Sequence, residues 1–442
     1  MADLSPAIAV NRPRNPYAVS SFRFAEDHQF MSRKSTAKNE RPGKHLFPID
    51  SKQALELVMA LMAIPGKSGE EQGVVDFITR HLLAAGAKRD QLETDSAHHH
   101  TPLKGQTGNL ILKLPGTKPG PRRMLTAHMD TVPICVGSQP VKKGDVVRSA
   151  NPQTGLGADD RAGAATILMT ALEILRKKLP HPPLTFCWFI QEEIGLYGAR
   201  FVQKSKLGSP KMAFNWDGGS AIKLTTGATG GYRMHINVRG LASHAGVSPE
   251  KGVSAIAIAS LAIAKLVREG WHGDIRKGNK RGTSNVGIVR GGDATNVVTD
   301  HVYLKAEARS HDPAFRELIV QHIEKAFREA CTTVRNVDGV HGNVEFEGQL
   351  DYEAFRLADD EPCVLAAESA VRALGKEPFR AISNGGLDAN WLSSRGIPTV
   401  SLGCGQSDPH TIKESLKLED FYDACRIALR LAIDADGEGD GT

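Results

Sequence analysis

Leu184-Thr-Phe-Cys-Trp-Phe-Ile190 is apolar on both of its alternating faces, and no other run constrains the fold as strongly. A strand whose two faces both leave water belongs inside a sheet covered on each side, the usual state of parallel strands roofed by helices. Further strands are expected at 109–114 and 122–127, and 160–178 reads as a long helix. This strand–helix–strand alternation over 109–200 predicts an α/β domain with a mostly parallel sheet. Upstream, 51–64 is expected to be helical, with Leu55, Val58, Leu61 and Met62 on one stripe. A second helix is expected from Ser68, where Ser68-Gly-Glu-Glu71 reads as a capping box and Val74, Ile78 and Leu82 follow at four-residue spacing.

The pattern changes after about residue 227. Tyr232, Met234, Ile236 and Val238 alternate along a half-exposed strand, a long apolar helix occupies 252–269, and strands follow near 284–290 and 301–309. A helix at 313–334 and a strand at 343–348 complete the order β-α-β-β-α-β, which predicts a ferredoxin-like α+β unit inserted over 228–350. The chain then returns to helix, strand and helix at 363–374, 397–402 and 418–433, so the first domain is expected to be discontinuous, 47–227 with 351–435. A length of 442 residues has room for two such domains.

Residues 1–46 hold eight Lys and Arg against four acidic residues, which accounts for four of the five net positive charges of the chain. They are expected to form a flexible basic extension, and 436–442 a short tail. The remainder is close to neutral and lacks the basic stripe that nucleic-acid binding requires. No apolar run reaches the length of a membrane span, and the N-terminus carries no apolar leader segment. Six cysteines stand singly with no CxxC pair, as expected of small buried hydrophobes in a reducing compartment. The expected location is cytoplasmic.

Acidic and histidine residues cluster where the expected strands end: His128 with Asp130, Asp159 with Asp160, Glu192 with Glu193, then Asp217, and late in the chain His410. Taken singly, each cluster reads as surface polarity, and Asp159-Asp160 as a helix cap. Their order, each beside an apolar strand, points instead to one metal centre, because carboxylates and imidazoles suit zinc, manganese or cobalt. Two divalent ions about 3.5–4 Å apart need a bridging carboxylate and several terminal ligands. Adjacent Glu192 and Glu193 cannot both face one ion from an extended backbone, so one can ligate while the other remains a general base. His98-His99-His100 lies in a polar loop without acidic neighbours at strand ends and is not expected to be a site. Neither Gly227-Ala-Thr-Gly-Gly231 nor Gly155-Leu-Gly-Ala-Asp159 has the spacing of a dinucleotide fingerprint. No GxSxG occurs to suggest a serine hydrolase.

Ala127-His-Met-Asp-Thr-Val-Pro133, Gly155-Leu-Gly-Ala-Asp-Asp-Arg-Ala-Gly163, Gln191-Glu-Glu-Ile-Gly-Leu-Tyr-Gly-Ala199, Ser243-His-Ala-Gly246, Asn384-Gly-Gly-Leu-Asp-Ala389 and Pro409-His-Thr411 together carry a resemblance. Over roughly 48–435 the chain resembles the co-catalytic zinc exopeptidase family of peptidase T, carboxypeptidase G and the aminoacylases, and is most similar to the tripeptidase-like branch. The resemblance implies that His128 and Asp217 ligate one ion, Glu193 and His410 the other, and that Asp159 bridges them. Asp130 would orient His128, Glu192 would be the general base, and Asp160 a neighbour that does not ligate. In the insert, His244 would stabilise the oxyanion, while Asn296 and Arg309 would hold the substrate backbone and its carboxylate.

The implied activity is metal-dependent hydrolysis of short peptides, tripeptidase or aminopeptidase-like, with carboxypeptidase, dipeptidase or N-acyl-amino-acid deacylase activity as alternatives. The implied cofactor is zinc, two ions per subunit, with manganese or cobalt as substitutes. The implied partner is a short peptide or acyl-amino-acid substrate, with no nucleic acid or membrane. The insert would act as a lid and, in a homodimer, as the dimerisation surface. One departure stands out: the branch usually reads Arg-Gly-Gly-Thr-Asp-Gly where this chain has Asn384-Gly-Gly-Leu-Asp-Ala389. That change removes a cation near the substrate end, so strict tripeptide specificity is not implied.

Overall fold

The structure, a computed structural model, describes residues 49–433; the expected extension (1–46) and tail (436–442) lie outside them. The doubly apolar run forms the strand Leu184–Phe189. Its Leu184, Phe186 and Trp188 join the core around the helix Ala158–Lys177, while Cys187 and Phe189 join a second cluster with Leu392 and Ile397 on the opposite face. Two helical layers therefore bury the sheet from both sides, which is why this strand tolerates no regular polar alternation.

The main sheet runs in the order Leu92–Thr94, Leu110–Leu114, Leu184–Phe189, Arg123–His128, Met212–Trp216, Thr399–Leu402, Lys223–Ala228, Phe355–Arg356. Its four central strands, Leu184–Phe189 through Thr399–Leu402, are mutually parallel. Antiparallel strands flank them on both sides, and Phe379–Ser383, absent from the expected elements, adds in parallel to Lys223–Ala228. The fold is thus α/β with a parallel centre, as the alternation predicts.

The expected capping box at Ser68–Glu71 does not form. The helix begins at Gln72, and Glu71 makes no side-chain cap. Ser68 Oγ donates instead to Asp130 Oδ2 at 2.6 Å, and Glu71 Oε1 accepts from the backbone N–H of Gly69 (2.8 Å) and Gln191 (3.1 Å). Buried donors must be paired, and here two of the three partners, Asp130 and Gln191, lie far away in sequence.

The insert carries a five-stranded antiparallel sheet, ordered Gly273–Lys277, Lys280–Gly291, His301–Ser310, Gly230–Arg239, Asn343–Tyr352. The last four strands keep the ferredoxin-like arrangement. Helices Ala255–Arg268 and Pro313–Thr333 pack Ile258, Ala262, Ile319, Ile323 and Phe327 against Met234, Ile236, Val238 and Leu304, a core separate from that of the main domain. The extra strand Gly273–Lys277 is a hairpin closed by Gly278-Asn279, with Gly278 at φ 61°. Gly-Asn between Arg276-Lys277 and Lys280-Arg281 is the signal that would have revealed it. At the two chain crossings, the buried Asn390 Nδ2 donates to Thr229 O at 3.0 Å and to Glu353 O at 2.6 Å. One carboxamide thus holds both connections of the insert.

A separate four-stranded sheet joins Pro140–Lys143 and Val146–Ser149 to Gln406–Ser407 and Ser415–Lys417, and frames the loop that carries His410. Among the described residues no helix is long and apolar enough to cross a membrane, and all six cysteines are free and buried.

Candidate metal centre

Three neighbouring parallel strands send their carboxyl ends to one place, the usual position of sites in open α/β sheets. His128 closes Arg123–His128, and Asp217 follows Met212–Trp216 directly. Glu192 and Glu193 follow Leu184–Phe189 after a turn at Gln191, whose φ is 51°. Asp159 arrives from the start of the helix Ala158–Lys177, where Asp159 and Asp160 depart from helical dihedrals. His410, at φ 63°, comes from the framed loop. Left-handed backbone at side chains converging on one centre is a recurrent mark of functional sites.

The side chains form two overlapping groups of donor atoms, His128–Asp159–Asp217 and Asp159–Glu193–His410, each with its ligand atoms within 4.8 Å of one another. Asp159 belongs to both. Its Oδ1 lies 3.2 Å from His128 Nε2, and its Oδ2 lies 3.2 Å from His410 Nε2. His410 Nε2 also stands 2.9 Å from Glu193 Oε2.

Behind His128, Asp130 Oδ1 is 3.3 Å from Nδ1. Asp130 also accepts from the backbone N–H of Glu192 (2.9 Å) and Glu193 (3.2 Å), so one fully buried carboxylate orients a histidine and shapes the turn that presents both glutamates. Leaving such buried N–H groups unpaired would cost about 1–3 kcal/mol each. Glu192 falls in neither donor group, yet its Oε2 is 3.9 Å from His128 Nε2. Asp160 turns away: it accepts from the N–H of His128 (3.1 Å) and Gly163 (2.9 Å) and from Gln406 Nε2 (2.8 Å).

The electrostatics match a cation site. Burial, reinforced by neighbouring Asp159, pushes the Asp217 carboxyl up to about 6. Burial raises Glu193 to about 7, with Asp159 among the opposing charges, and lifts Glu192 well above its ordinary value. Hydrogen bonds to Asp159 and Glu193 push the His410 imidazole up to about 10. The imidazoles hold Asp159 well below the usual carboxylate range, against its own burial. So many carboxylates around two imidazoles, drawn together out of water, are the donor set that a divalent ion relieves. His128, directed by a carboxylate behind it, has the orientation that metal-ligating histidines take.

Other residues stand elsewhere. His244 is exposed on the ribbon Ser243–His244 paired with Val297–Val298, and Ala245 N–H donates to Asn296 O at 2.9 Å. The insert thus places His244 and Asn296 beside each other and brings neither into the donor groups. Arg309 donates from Nε and Nη2 to Glu307 at 3.0 and 2.9 Å. The histidine triplet sits on a short turn, Ala97–His100, outside both donor groups.

Sequence reasoning missed several supporting groups. Ser68 and Glu71 were hidden under a capping pattern. Asp388, inside the Asn384–Ala389 motif, is buried, and burial with nearby Asp217 among the opposing charges pushes its carboxyl up to about 8. Glu414, four residues after His410, accepts from the N–H of Leu156, Gly157 and Asp159; no local pattern marks it.

Residues 124–434 match the model of peptidase family M20/M25/M40. The protein YqjE of Bacillus subtilis (strain 168) is 31% identical over 389 residues, covering 88% of this chain and 99% of that protein. Among solved structures, a tripeptidase from Staphylococcus aureus superposes with a TM-score of 0.79 at 30% identity, covering 87% of this chain and 98% of its own. The aminopeptidase PepT from Bacillus cereus ATCC 10987 does so with a TM-score of 0.76 at 31% identity, with the same coverage. The chain belongs to peptidase family M20/M25/M40.

Proposed function

We propose that this chain is a metal-dependent exopeptidase that hydrolyses short peptides, with two ions, most suitably zinc, at the two donor groups and Glu192 as general base. The observation that carries the reading is that Asp159 alone belongs to both groups, while Glu192 belongs to neither and stands 3.9 Å from His128 Nε2. Ions held there would acidify a water and polarise the scissile carbonyl. Glu192 would take the proton of the attacking water at its carboxylate and return it to the departing amine. Glu193, one residue on, faces His410 instead. His244 Nδ1 accepts from the N–H of Gly246 and Val247, each at 3.1 Å, which leaves Nε2–H as a donor suited to an oxyanion once the insert closes.

One observation favours short peptides, and a second offers a place for part of a substrate. Two solved relatives, 30% and 31% identical, are named as a tripeptidase and an aminopeptidase. A cavity of about 390 Å³ walled by Leu103, Pro133 and Ile194 also includes Ser68, the partner of Asp130, and offers room for a substrate side chain. The test is a panel of di-, tri- and tetrapeptides with N-acyl amino acids, followed by mass spectrometry with zinc present. Release of the N-terminal residue from tripeptides is the expected outcome. Cleavage confined to N-acyl amino acids would replace the peptidase reading with a deacylase.

A further inference from the structure

We propose that Glu414 is a positioning residue for the metal centre, tying the loop that carries His410 to the loop that carries Asp159 and so setting the donor spacing of the Asp159–Glu193–His410 group. The inference rests on the two-ion reading above. Glu414 is 2% exposed. Its Oε2 accepts from the backbone N–H of Leu156 (2.8 Å) and Gly157 (2.7 Å), and its Oε1 accepts from that of Asp159 (3.0 Å). Cys135 Sγ approaches the same Oε2 at 3.4 Å. A carboxylate accepting several N–H groups fixes their backbone much as an anion fills a nest of amides.

Glu414 is itself held. It directly precedes the strand Ser415–Lys417, which pairs with Val146–Ser149, and Arg148 Nη1 donates to Lys413 O at 2.9 Å. The Asp159 loop is built to receive it. A Cβ at Gly155 would lie 3.0 Å from Glu414 Oε2, 2.9 Å from Cys135 Sγ and 3.1 Å from Thr411 O, so only glycine there lets the two loops meet this closely. The two donor groups depend on this tie unequally. Asp159 is also held at His128 Nε2, 3.2 Å away, whereas the half-exposed His410 reaches Asp159 and Glu193 from the loop that Glu414 closes. The Asp159–Glu193–His410 ion is therefore the one that loses affinity when the tie is cut.

Glu414→Gln replaces one acceptor oxygen with a donor facing N–H groups while keeping the side chain's shape, and Gly155→Ala crowds Cys135 Sγ and the carboxylate without altering the carboxylate itself. Both variants are titrated with cobalt after chelation, following the visible spectrum, and their melting temperatures are measured with and without metal. The expected result is one ion bound as in the wild type and the other weakened by about 10–100-fold, the usual effect of removing a group that holds a ligand in place. The gain in melting temperature on adding metal should fall, over and above any loss in the chelated protein from buried N–H groups left without an acceptor. Two ions bound with unchanged affinity in both variants would overturn the inference and leave the two-ion reading standing. So would an equal weakening of both ions together with a lower melting temperature of the chelated protein, which would mark a structural role. Wild-type protein that takes up fewer than two ions would overturn the two-ion reading and this inference with it.

Discussion

Glu192→Gln is expected to lower kcat by about 10²–10⁴-fold, the usual contribution of a general base, while the protein keeps its full metal content. The amide preserves the shape and the backbone N–H bond to Asp130 Oδ1, so the turn that also presents Glu193 remains in place. Only the proposed proton acceptor is lost. The neighbouring Glu193→Gln is expected to behave differently, because Glu193 lies 2.9 Å from His410 Nε2 within a donor group: metal content should fall along with activity. The pair of variants separates base from ligand, although the residues adjoin in sequence. Retention of near wild-type turnover by Glu192→Gln would remove the base from the mechanism.

Asp159→Ala should have an effect at least as large, through a different route. Asp159 contributes an oxygen to each donor group, so on the two-ion reading its removal would withdraw a ligand from both ions at once and leave His128 and His410 without their shared partner. Activity should drop below detection at ordinary enzyme concentrations, and metal content should fall below that of any variant at a terminal ligand such as Asp217. Elemental analysis beside circular dichroism checks this, since a folded protein without metal is the expected product. A folded Asp159→Ala protein that keeps both ions would show that the carboxylate does not bridge.

Much of this was legible in the sequence because burial writes itself into composition. Leu184–Ile190 could be apolar on both faces only inside a covered sheet, and the acidic and histidine residues at the ends of such strands were conspicuous because carboxylates are costly next to a core unless something pairs them. What stayed hidden depends on partners far away in the chain. Ser68 and Glu71 have the spacing of a capping box, yet they serve Asp130 and the backbone of Gln191; the local pattern is the same in both cases. Asn390 and Glu414 are ordinary polar residues in sequence, and only the fold shows that one holds both crossings of the insert and the other closes two loops together. The hairpin at Gly273–Lys277 was readable from Gly278-Asn279, but the flanking basic residues do not alternate with apolar ones, so the strand signal was weak.

His244, Asn296 and Arg309 have a different standing. The insert brings His244 to Asn296 and turns Arg309 onto Glu307. If they act in catalysis as the proposed reading has it, they would have to meet the donor groups in a rearrangement of the kind by which closing domains complete a site. Arg309 would then exchange one carboxylate for another, that of Glu307 for that of the substrate.

Metal stoichiometry tests the central claim most directly. Protein purified without chelator, or stripped and then titrated with zinc, should bind about two equivalents per chain, one for each donor group that shares Asp159. Saturation at about one equivalent, or no uptake with the protein folded, would contradict a centre bridged by Asp159.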